Sequence, residues 1–179
     1  MNISTSGSTE IWIPSAAVRS QHTGSTVFDV VDDHPGSEFS GFYRGFTTSF
    51  KLRAGKDSWF HFPITTPSMI AGAPVALERL SLLWETDGAA SISWVTMHHG
   101  GRARFELSPR NTPIQGDLET IQQDPRWPPM AMRRTDWCID PVLTIAMGIQ
   151  LCIFVCAADA PGVVRFYGAG ASFCPCNEA

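Results

Sequence analysis

Charge is scarce in this sequence of 179 residues: Asp, Glu, Lys and Arg together make up 17%, against about 25% in globular proteins generally. That shortage argues against solvated helices and for extensive buried sheet. Positive charge is in no excess either, since the formal net charge is −4. The local clusters Arg102 with Arg104 and Arg133 with Arg134 are too small to make a phosphate-binding surface, so nucleic acid is excluded as a partner. The first ten residues carry no basic region followed by an apolar one, and read as a flexible lead-in rather than a secretory signal. The most apolar stretch, 142–158, is broken by Gly148 and Gln150. At about 17 residues it stands at the lower limit of a membrane span, so it is read as core and no membrane partner is expected.

Cysteine is sparse and odd in number, at positions 138, 152, 156, 174 and 176. On one strand, Cys152 and Cys156 would lie about 13 Å apart, beyond the roughly 7 Å that a disulfide spans between Cα atoms. Small buried thiols in a reducing, cytoplasmic compartment are expected. Cys174-Pro175-Cys176 has no second cysteine pair to complete a zinc site. Phosphate-loop, zincin and nucleophile-elbow motifs are all missing. Gly168-Ala169-Gly170 opens no helix, which removes the dinucleotide fingerprint. No cofactor is expected.

What the chain does have is apolar bulk, 44% of residues with 11 Phe and 6 Trp, punctuated by 15 Gly and 13 Pro. Phe42 to Leu52 puts Phe42, Phe46, Phe50 and Leu52 on one parity and Thr47, Ser49 and Lys51 on the other, the period of a half-buried strand. Ser58 to Ile64 repeats this, with Phe60, Phe62 and Ile64 on one face and Trp59 and His61 on the other. Val75 to Trp84 reads as a central strand, and Thr86-Asp87-Gly88-Ala89 as a hairpin turn into Ser91 to His99. Further strands are expected at 102–107, 148–156 and 163–173, where Gly168 and Gly170 imply close backbone packing or a bulge. The proline-rich stretch Ser108 to Trp137 reads as one long loop, with a helical turn near Leu118 to Gln123. The expectation is an all-β, single-domain antiparallel β-sandwich over 11–179, jelly-roll-like with about eight strands, preceded by a lead-in over 1–10.

The segment Trp59-Phe60-His61-Phe62-Pro63-Ile64-Thr65-Thr66-Pro67 resembles the WFHFPIPTP-type signature strand of a family of small, mostly bacterial β-sandwich proteins. Leu80 to Trp84 and Phe166 to Phe173 extend the resemblance over about residues 40 to 173. It implies the sandwich fold and no particular activity. Val95-Thr96-Met97-His98-His99-Gly100-Gly101 and the loop Asp124 to Met130 depart from the pattern.

Trp59 and His61 share one strand face, Trp94 and His98 another. If those strands lie near one another, the four side chains line one concavity. Imidazole moves protons near neutral pH, so His98 and His61 are the candidate catalytic residues. Trp59, Trp94, Tyr43, Arg44 and Trp127 are the candidate substrate-binding residues, with Trp127 on a lid or plug; no metal site is expected. The leading expectation is a cofactor-independent enzyme, a cyclase or isomerase acting on an apolar small molecule such as a terpenoid or polyketide intermediate. One alternative is a non-catalytic carbohydrate- or lipid-binding module with tryptophans as stacking platforms. The other is a structural or interaction protein forming a homodimer. A closed apolar pocket of roughly 300 Å³ or more would favour the enzyme, and tryptophans exposed in a shallow groove the binding module.

Overall fold

In the computed structural model the described residues are 8–31, 42–44, 47–70, 72–100, 103–122, 125–126, 129–145 and 147–176. The strands are β1 (Thr9–Pro14), β2 (Arg19–Ser20), β3 (Phe28–Asp29), β4 (Phe42–Arg44), β5 (Thr48–Leu52), β6 (Asp57–Ile64), β7 (Met69–Ile70), β8 (Ala73–His99), β9 (Ala103–Ser108), β10 (Asp117–Ile121), β11 (Met130–Thr144) and β12 (Ile149–Pro175). A single 3-10 turn, Ser15–Ala17, follows β1. Every ladder between these strands is antiparallel.

Two strands dominate. β8 and β12 are each 27 residues long, far above the usual ten or so. They pair along their whole length, from Ile149 opposite His99 to Pro175 opposite Val75. Over 149–156, β12 also pairs with β6, which pairs with β2, while β9 flanks β8. Over 162–173, β12 instead takes β5 and β1 on its free edge, and β11 and β10 extend the sheet beyond β8. One continuous ribbon therefore belongs to two layers. The layers close on each other through aromatic rings: Phe60 of β6 lies 4.6 Å from Phe50 of β5 and 5.3 Å from Phe166 of β12, and Phe62 lies 5.7 Å from Phe166. This is a β-sandwich with the jelly-roll-like, all-β character expected.

The ribbon bends where glycine permits it. Gly88 has φ of 64°, and a Cβ there would stand 2.8 Å from the Pro161 carbonyl oxygen. Opposite, a Cβ on Gly162 would stand 2.1 Å from the Ala90 nitrogen. Thr86 to Ala89, expected to reverse the chain, instead carries β8 onward in the same direction. The turn chemistry makes a corner because β12 bends beside it, with its register shifting between Ala157 and Gly162.

Further expectations are corrected. Phe42 to Leu52 is not one strand, because β4 pairs back onto β5 with Phe42 opposite Phe50. Ser49 is fully buried rather than wet, since β5 has paired neighbours on both edges. The long loop is interrupted: β10 and β11 form a ladder from Asp117 opposite Arg134 to Ile121 opposite Met130. The helical turn expected near Leu118 is therefore strand, tertiary pairing having overridden local propensity. At the start, Thr9 and Glu10 already pair with Phe173 and Ser172, so the lead-in does not extend through them. No helix among the described residues is long and apolar enough to cross a membrane.

Candidate functional site

The outer face of the β2–β6–β12–β8–β9 layer carries a groove of about 350 Å³. Its side chains follow from strand register. With Phe60, Phe62, Leu151, Ile153, Val95 and Met97 committed to the core, the alternate positions point outward. They fall in three rows across the sheet. Trp59, Phe154 and Trp94 form the first. His61, Cys152, Thr96 and Glu106 form the second. Pro63, Gln150, His98 and Arg104 form the third. Gln21, just after β2, closes one end.

The first row is an aromatic patch. Trp59 lies 5.0 Å from Trp94 and 5.1 Å from Phe154, centroid to centroid, all tilted. Both indoles are half-buried. Trp94 Nε1 donates to Glu106 Oε1 at 2.9 Å, which fixes its ring. The Arg104 guanidinium lies 4.3 Å over the Trp94 ring and that of Arg110 5.3 Å from it, the geometry of cation–π contact.

The second row is polar but chemically quiet. His61 Nδ1 is 3.2 Å from Cys152 Sγ. Burial pushes the Cys152 thiol up to about 11, against the opposing pull of Thr96 and Arg104. It is therefore a protonated thiol at neutral pH and no nucleophile. Burial, and then the neighbouring His98, lower the His61 pKa, which keeps that imidazole neutral. Thr96 Oγ1 is buried beside the thiol without a hydrogen bond of normal geometry. Among the described residues, no three His, Cys, Asp or Glu side chains are placed to hold a metal ion.

No described protein family and no curated protein matches the chain. Solved structures do. One is a xylan-binding module, CBM15, with TM-score 0.49 and 13% identity, covering 97% of this chain and 100% of that one. Another is TmCBM61 in complex with beta-1,4-galactotriose, with TM-score 0.39 and 11% identity, covering 92% of this chain and 88% of that one.

The expectation of a cyclase or isomerase is overturned. The site itself is not the closed apolar pocket such an enzyme needs. It lies on an outer sheet face, while the space between the layers is filled by Phe28, Phe50, Phe60, Phe62, Phe166 and Phe173, each no more than 1% exposed.

Of the residues expected at the site, Trp59, His61, Trp94 and His98 are brought together. Tyr43 and Arg44 are not. They lie on β4, beside β5 at the far edge of the other layer. Trp127 lies outside the described residues. Sequence reasoning missed Phe154 and Cys152, whose strand runs between the two it had singled out. Arg104 and Glu106 were legible as the polar parity of 103–107, but nothing in the sequence tied them to Trp94.

Proposed function

We propose that this chain is a non-catalytic carbohydrate-binding β-sandwich module whose ligand lies in the groove over Trp59 and Trp94. The observation that carries this is the pairing of two half-buried indoles 5.0 Å apart with a rim of hydrogen-bonding groups on an open sheet face. A sugar ring has apolar C–H faces and a polar edge. Indole receives the first, and the amide of Gln21 and the imidazole of His98 receive the second. A lipid would call for an enclosed apolar cavity instead.

Binding without turnover fits the chemistry of the same residues. Glycoside hydrolysis normally uses two carboxyl groups facing each other across the bond. Among the described residues the groove lining contains no Asp or Glu, and nearby Glu106 is engaged by Trp94 Nε1.

The test is titration of the purified chain with a panel of soluble polysaccharides and their oligomers, by calorimetry and tryptophan fluorescence. At least one should bind and shift the emission of the site indoles. Trp59→Ala should weaken it about 10- to 30-fold, as loss of a central aromatic anchor does, with an unchanged circular dichroism spectrum. Absence of binding across the panel, or full affinity in folded Trp59→Ala, would overturn the reading.

A further inference from the structure

We infer that the groove selects an anionic sugar, a uronate whose carboxylate is received by Arg104 and Arg110; this rests on the carbohydrate reading above. The argument starts from how these two arginines are held. Both are exposed, and both guanidinium groups sit over one indole, at 4.3 and 5.3 Å from the Trp94 centroid. A guanidinium carries its N–H groups along its edge. Those groups form a planar fork that matches a carboxylate with two parallel hydrogen bonds.

No ion pair occupies that fork. Among the described residues neither Arg104 nor Arg110 lies within 4.0 Å of a carboxylate oxygen. The acidic residue of the neighbourhood, Glu106, accepts from Trp94 Nε1. It orients the ring on which both arginines lie rather than neutralising either of them. His98 stands opposite Arg104 in the ladder and adds no negative charge. A cationic edge is thus concentrated at one end of a groove in a chain whose net charge is −4.

That edge is also pre-oriented. Arginine normally loses considerable side-chain freedom when it binds. Here the indole face already restrains both side chains, so less is lost when a carboxylate arrives. A sugar lying over Trp59 would place its polar edge toward the Trp94 side of the groove, where Arg104 stands. A neutral sugar binds the same indole but leaves the guanidinium groups on water.

The experiment compares an oligo-uronate with the same oligomer after carboxyl reduction, and with a neutral oligomer carrying sulfate instead, by calorimetry at low and moderate salt. The uronate should bind about tenfold or more tighter than its reduced form. The preference should shrink as salt rises, and Arg104→Gln with Arg110→Gln should bring the uronate down to the affinity of the reduced oligomer. Equal, Trp59-dependent affinity for uronate and reduced forms would overturn this inference and leave the carbohydrate reading standing. Tighter binding of the sulfated oligomer would overturn the choice of carboxylate. Uronate binding that survives Trp59→Ala would place the anion outside the groove and overturn the inference as well. Failure of all three oligomers to bind would overturn both readings.

Discussion

Replacing Gly162 with alanine tests the corner on which both layers depend. The added Cβ would stand 2.1 Å from the Ala90 nitrogen, 2.7 Å from its Cβ and 2.8 Å from its Cα, where ordinary contact begins at 3.4 Å. Two of those atoms are backbone and belong to β8, so no side-chain rotation relieves the clash. β8 and β12 would have to separate by about 1 Å in the middle of their ladder. Overpacking of a closed interior costs about 1 to 3 kcal/mol, and a backbone clash belongs at the upper end. For a domain of this size, 3 kcal/mol lowers Tm by about 6 to 12 °C. Two controls separate the causes. Gly148 has its nearest neighbour at 4.0 Å and no left-handed φ, so Gly148→Ala should melt within about 2 °C of the parent. Gly55 has φ of 67° with nothing within 4 Å, so Gly55→Ala isolates the left-handed backbone cost of about 1 to 2 kcal/mol. Calorimetric melting and urea midpoints, with unchanged m-values, read the series. A Gly162→Ala protein that melts with Gly148→Ala would refute the close passage of the two strands.

Alkylation by iodoacetamide at pH 8, followed by mass spectrometry, should label exposed Cys138 first. Cys152, buried and held near 11, should react about a hundredfold more slowly or less, and equal rates would contradict its burial beside His61. The lowered pKa of His61 fixes the sign of a pH effect. Above 6.5 both folded and unfolded forms are neutral and its contribution to stability is complete. As pH falls below 6.5 the unfolded chain takes up the proton first, so stability declines until the folded imidazole also titrates. His61→Gln should flatten that part of the urea-midpoint profile, and an unchanged slope would remove His61 as its source.

Much of this architecture is written in side-chain parity. Ser58 to Ile64 and Ser91 to His99 each sort their residues onto the faces that period two assigns, and both outward pairs, Trp59 with His61 and Trp94 with His98, reach the groove. Parity is blind to what lies between strands. β6 and β8 are not neighbours; β12 separates them and contributes Phe154 and Cys152 to the floor. Local turn chemistry is blind to direction. Asp87-Gly88 has the residues of a hairpin, and only the bend of β12 beside it makes a corner instead. The run from Phe42 to Leu52 misled because a hairpin preserves alternation as well as a straight strand does. Gly168 and Gly170 were read as a place of close approach, and Trp12 of β1 lies there, where a Cβ on Gly170 would stand 2.9 Å from the indole. The Arg110 contact with Trp94 had no sequence signal, since a loop residue carries no period.

The ribbon of β8 and β12 also sets how the molecule responds to being occupied. Each of these strands supplies both the floor of the groove and the middle of the opposite layer, so neither layer has a melting transition of its own. Stabilisation gained on one face is distributed over the whole cooperative unit. A ligand touching only β6, β8, β9 and β12 at 100 times its dissociation constant adds about 2.7 kcal/mol to global unfolding. The far layer, which a ligand in the groove would not touch, becomes harder to open by the same amount.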